Sequence, residues 1–128
     1  MTSKCIETWH RLASTQDAAG IVALLSDDVV FYSPVVHTPQ VGKEITTKYL
    51  TAAFDVFFNE SFHYVAETYH GNQAVLEFEV ELNNIKVNGV DMISWNDQQL
   101  ITVFKVMVRP LKGVNMVHQL MMERLSQS

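Results

Sequence analysis

The chain is short of three things, and each shortage closes off a class of function. It has a single cysteine, Cys5, which excludes an intrachain disulfide and any Cys-x-x-Cys metal knuckle. It has few basic residues: 9 Lys and Arg face 14 Asp and Glu for a formal net charge of −5. No stretch gathers them, so nucleic acid is not an expected partner. It has no run of about 18 consecutive apolar residues, and its start, MTSKCIETWHRLAST, has no apolar segment followed by a small-residue cleavage site. No membrane helix or leader is expected, and the expected address is the cytoplasm.

What is present is apolar, at 48% hydrophobic against 18% charged. A chain of this length buries a core without metal or disulfide support, so one domain over 1–128 is expected. A lean charged surface leaves apolar area for a pocket or an interface.

Ser3 reads as the N-cap of an amphipathic helix over 3–15 carrying Ile6, Trp9 and Leu12. Asp17 caps a second, short helix that stops at Ser26-Asp27-Asp28. Residues 29–33 are β-branched and aromatic and suit a strand that feeds a loop through Pro39 to Gly42. Residues 43–57 return to helical period. Period two then takes over: Phe62, Tyr64 and Ala66 alternate with His63, Val65 and Glu67. After the turn signal His70-Gly71-Asn72, Leu76, Phe78, Val80 and Leu82 alternate with Glu77, Glu79 and Glu81. Asn83-Asn84 and Asn88-Gly89 compete as the next turn, the Asn-Gly pair being the stronger local signal. Strands over 90–95 and 100–108 follow, joined by Asn96-Asp97-Gln98-Gln99; Pro110 and Gly113 end the sheet. Val114, Val117, Met121 and Leu125 mark a closing helix. Helices first and hairpin-connected strands after predict an α+β fold, a curved antiparallel sheet around the N-terminal helices with a cone-shaped interior.

In this order of elements, Asp17-Ala18-Ala19-Gly20-Ile21-Val22-Ala23-Leu24-Leu25-Ser26-Asp27-Asp28-Val29 resembles the opening of the nuclear-transport-factor-two-like superfamily, which includes ketosteroid isomerases and SnoaL-like polyketide cyclases. The loop from Ser33 to Gly42, with Pro34 and Pro39, resembles the isomerase loop without a gap. Val106-Met107-Val108-Arg109-Pro110-Leu111-Lys112 resembles SnoaL-like members. The resemblance covers nearly the whole chain. It implies a cystatin-like, cone-shaped barrel with a mixed or antiparallel sheet, dimeric through the convex sheet face, with Asn83-Asn84 as the hairpin and Asn88-Gly89 as a bulge. It also implies that Ser33 stands where isomerases carry a general-base aspartate, His10 where they carry an oxyanion tyrosine, and Asp91 where they carry a hydrogen-bond-donating strand acid.

From the residues themselves, Asp91 shares a strand face with Ile93 and Trp95, so an inward-facing stripe carries its carboxyl into apolar surroundings that raise its pKa. The alternative is an ion-paired, structural Asp91. His10 is a candidate proton shuttle to Asp91 or a helix-surface residue, and Tyr32 a candidate assisting phenol. Trp9, Tyr49, Phe54, Phe78, Trp95 and Phe104 are core residues from which a cavity wall is drawn. His37 stands at the expected pocket mouth, with a solvated loop residue as the alternative, and His118 is a further ligand-side candidate for which packing against Val117 and Met121 is the stronger reading. Arg109 is a candidate anion or carboxylate clamp, but a strand-end salt bridge with Glu77, Glu79 or Glu81 is the stronger expectation. The five histidines show no metal-ligand spacing, so no metal is expected, and no cofactor is called for. Two functions stay open: an acid-base enzyme of the lyase, isomerase or cyclase type acting on a carbonyl compound, and a non-catalytic domain that binds a small apolar ligand or forms a homodimer.

Overall fold

The structure, a computed structural model, describes residues 3–126. Helix α1 spans Lys4–Thr15 and starts where Ser3 caps it, its hydroxyl accepting from the Ile6 amide at 3.1 Å. Its inner stripe is Cys5, Ile6, Trp9 and Leu12. The second helix expected after Asp17 is instead two 3-10 turns, Ala18–Gly20 and Val22–Leu24. Gly20 approaches α1 so closely that a Cβ there would lie 2.5 Å from the end of Leu12, and this close approach ties the segment to α1. Strand β1, Leu25–Tyr32, therefore begins earlier than expected and includes Ser26-Asp27-Asp28.

The short β2, Gln40–Val41, leads into α2, Lys43–Phe57, which buries Leu50, Phe54 and Phe57. Then come β3, His63–His70; β4, Gln73–Leu82; β5, Ile85–Trp95; and β6, Ile101–Arg109. Helix α3, Leu111–Ser126, closes the chain; Gly113 lies inside it against Val87 and does not stop the sheet. No helix among the described residues is long and apolar enough to cross a membrane.

The sheet is mixed, in the order β2-β1-β6-β5-β4-β3: β1 pairs with β6 in parallel and every other pair is antiparallel. The order is linear, with β2 and β3 as free edges, so the curved sheet stays open. Asn83 and Asn84 form the β4–β5 hairpin in the left-handed conformation, with φ of 50° and 69°, as a two-residue turn of this twist requires. The Asn88-Gly89 bulge is corrected: Asn88 pairs with Glu79 and Gly89 with Phe78 in unbroken register. Gly89 is there for space, since a Cβ would meet the Phe78 ring tip and the Met107 carbonyl oxygen at 2.6 Å each. The inner sheet face, α1 and α2 share one apolar core that includes Phe31, Leu50, Leu76, Phe78, Ile93 and Phe104. Each such side chain contributes about 1.5–3 kcal/mol by leaving water.

Candidate functional site

From Val87 on, strand β5 alternates without a fault: Val87, Gly89, Asp91, Ile93 and Trp95 are buried while the residues between them are half-exposed. Parity therefore places a carboxyl inside the core. Asp91 is 6% exposed, between Leu76 on β4 and Val106 on β6. It borders a cavity of about 30 Å³ whose wall is Trp9, Leu50, Ala53, Phe54, Phe57, Phe58, Phe62, Phe78, Phe104 and Val106. That is room for a water or two, and among the described residues Asp91 is the one titratable side chain in the lining.

A residue that sequence reasoning missed holds Asp91 in place. Tyr64 donates its hydroxyl to Asp91 Oδ2 at 2.7 Å and accepts from Trp9 Nε1 at 2.9 Å. The register explains its reach: Tyr64 pairs with Phe78 and Phe78 with Gly89, two residues from Asp91, so the phenol reaches diagonally across β4, its ring edge-to-face with Phe78 at 6.5 Å. The period-two pattern of Phe62 and Tyr64 carried the signal for its inward face, but its partner lies two strands away.

Burial pushes the Asp91 carboxyl from an ordinary 3.8 up to about 7, and the Tyr64 hydrogen bond only partly opposes this. Burial also pushes the Tyr64 phenol well up, helped by the charge of Asp91 and the bond to it. A carboxyl balanced near neutrality in an apolar cavity serves as proton donor or acceptor at the same pH. In Tyr64→Phe, Asp91 loses the bond that favours its ionised form and Trp9 loses its acceptor. We expect a loss of about 1–3 kcal/mol and an Asp91 titration above that of the parent; an unmoved titration in carbon NMR would remove Tyr64 from the site.

The cavity also gathers Trp9, Phe54, Phe78 and Phe104, with Trp9 edge-on to Phe54 at 5.4 Å and to Phe104 at 4.8 Å. The other candidates lie elsewhere. The His10 imidazole is turned to Glu67, Nε2 lying 3.1 Å from its carboxylate, and only its ring edge meets Tyr64. A register shift between Tyr64 and Ala66 turns Glu67 toward α1, against the expected alternation. Tyr69 donates to the same carboxylate at 2.5 Å. Tyr32 is on the opposite sheet face, where Lys105 sits 4.9 Å over its ring, because Val29 and Phe31 take the inward positions. Tyr49 packs on Phe31, and Trp95 is buried outside the cavity wall. His37 and His118 are exposed. Arg109 donates to Asn88 Oδ1 at 3.4 Å, and Asn88 in turn donates to Glu77, so an amide stands where a direct salt bridge was expected. The Ser33 hydroxyl accepts from the Val35 and Val36 amides and is outside the cavity lining.

A family model described as SnoaL-like domain matches residues 6–104. A crystal structure of a steroid delta-isomerase from Pseudomonas aeruginosa is 34% identical, with a TM-score of 0.91 over 96% of this chain and 90% of that one. An uncharacterised protein with a cystatin-like fold from Silicibacter pomeroyi is 30% identical, with a TM-score of 0.86 over 94% of this chain and 84% of that one. The epoxide hydrolase/cyclase-like enzyme SalBIII, of pyran ring formation in the polyether salinomycin, shares the fold at 15% identity and a TM-score of 0.67 over 83% of this chain and 88% of that one. No curated protein matches the chain. With the matched segment running from the first helix to the last strand and the same fold recurring in isomerase- and cyclase-type enzymes, the chain belongs to the SnoaL-like domain family.

Proposed function

We propose that this protein binds a small, largely apolar carbonyl compound at Asp91 and transfers a proton to or from it. One observation carries the reading: a single carboxyl raised to about 7 lines an otherwise apolar cavity. Asp91, protonated, donates to the carbonyl oxygen; in the transfer it passes that proton to the oxygen and its carboxylate takes the proton from the adjacent carbon, which gives the enol and leaves Asp91 protonated again. Once ionised, the same group is a base matched to neutral pH. Tyr64 and Trp9 position it and take no part in the proton transfer.

The steroid chemistry in the Pseudomonas aeruginosa relative's name is not carried over, because Ser33 stands at the loop position of the base and its hydroxyl is already held by two backbone amides. Losing a positioned base removes about 10²- to 10⁴-fold in rate. The second reading, a non-catalytic pocket, is favoured by the lack of a second acid-base group in the lining among the described residues. A thermal-shift screen of steroids, polyketides and small ketones tests the proposal. We expect small ketones to raise the melting temperature of the parent and not of Asp91→Asn; equal shifts in both would remove Asp91 from the site.

We also propose self-association through the outer sheet face. Val75 pairs with Met92, Met92 with Lys105, and Val90 with Met107, and Met107 is 52% exposed, an apolar strip of the kind a symmetric copy covers. Light scattering at micromolar concentration is expected to return twice the chain mass, and a single-chain mass would overturn this.

A further inference from the structure

The aromatic wall of the Asp91 cavity has a second, outer side. Phe58 and Phe62 line it from inside and also floor a groove of about 570 Å³ outside, bordered by His10, Arg11, Ser14, Gln16, Asn59 and His63. Tyr64 spans the wall, its hydroxyl on Asp91 and its ring at the groove. Phe58 and Phe62 are half-buried and meet edge to face at 4.6 Å, and these two rings lie between the small cavity and the large groove.

The groove has the opposite chemistry. In a chain of net charge −5, its lining holds a guanidinium, two imidazoles, amides and a hydroxyl, and no carboxylate among the described residues. The imidazoles have carboxylates behind them: Glu67 at 3.1 Å from His10 and Glu79 at 3.5 Å from His63. The Arg11 guanidinium, on the ridge shared with a neighbouring groove that includes Asp17, is in none of the ion pairs among the described residues. We infer that the groove is the outer half of the Asp91 site and takes the anionic end of an amphiphilic carbonyl compound: carboxylate at Arg11, apolar chain across Phe58 and Phe62, carbonyl at Asp91. The inference rests on the carbonyl reading of Asp91 and adds a charged, extended substrate class to it.

The test compares methyl heptyl ketone with the keto acid formed by replacing its terminal methyl with a carboxylate, titrated by calorimetry at low and high salt. The keto acid binds the parent about fivefold tighter at low salt, as one exposed ion pair allows, and the preference shrinks as salt screens it. Arg11→Gln brings the keto acid down to the ketone's affinity, and Arg11→Lys keeps most of the preference. Equal affinities in the parent, or a preference that survives Arg11→Gln, overturn the groove assignment while the carbonyl reading stands. If neither compound binds, the carbonyl reading of Asp91 falls and this inference with it.

Discussion

Asp91→Asn is expected to gain stability over the parent as pH rises, with the gap between the two changing by ~4 kcal/mol between about pH 4 and pH 8. The folded-state carboxyl is raised from 3.8 to about 7, so the folded protein prefers the protonated form. Stability from this group is fully present below 3.8, where folded and unfolded chains are both protonated. It falls as pH rises from there, because the unfolded chain ionises first, and it is gone once pH passes about 7. Asparagine has no charge to desolvate, so its curve lacks this slope. Its amide needs partners in the same apolar cavity, which offsets about 1–3 kcal/mol. The variant is therefore at or below the parent under acid conditions and about 1–3 kcal/mol above it at pH 8. Urea denaturation of both proteins across this range measures the gap. A variant that costs about 3 kcal/mol or more at pH 8 would mean that Asp91 is half of a buried ion pair, contrary to its neighbours here.

Phe78→Ala is expected to cost about 3–5 kcal/mol, the usual loss for deleting a fully buried ring. Phe78 is 1% exposed, stacks on Phe62 at 5.2 Å, meets Phe57 edge-on at 5.6 Å, and fills the space that Gly89 leaves open. Core relaxation around Gly89 is limited by the Met107 carbonyl and Val108 on the next strand, so the hole persists. Because Phe78 lines the Asp91 cavity, the hole enlarges that cavity. The denaturation midpoint should fall with little change in slope, and a small apolar ketone should recover part of the loss by binding the folded state. Phe78→Leu, closer in volume, should cost about 1 kcal/mol. A loss below 1 kcal/mol for alanine would mean that the ring is not packed as described.

Features set by local rules were legible from the residues. Ser3 as a cap, the helix over 43–57 and the alternation of β4 depend on a few consecutive side chains, and the structure keeps them. The inward face of Asp91 was legible for the same reason, since strand parity ties it to Ile93 and Trp95. Parity also turns Tyr32 outward once Val29 and Phe31 are buried. Tyr64 was not legible as Asp91's partner, because their meeting needs the register of three strands. The face of Glu67 was hidden as well, since the register shift after Tyr64 has no glycine or proline to announce it. His10 sits at the margin of the α1 apolar stripe, and only the position of Glu67 decides which way it turns. The 3-10 turns replaced a helix because a tertiary contact, Gly20 on Leu12, overrode an apolar pattern too short to hold a helix alone.

The meeting of a protonated Asp91 with a ligand carbonyl is tested most directly by the carbonyl carbon resonance of a bound, isotopically labelled methyl ketone. A hydrogen bond from a carboxylic acid draws electron density from the carbonyl. The resonance should lie downfield at about pH 5 and move upfield with a midpoint at or above 7 as Asp91 ionises, while the Asp91→Leu protein shows no such step. A bound resonance that stays constant between about pH 5 and pH 9 in the parent, or one that titrates identically after Asp91→Leu, would contradict the claim.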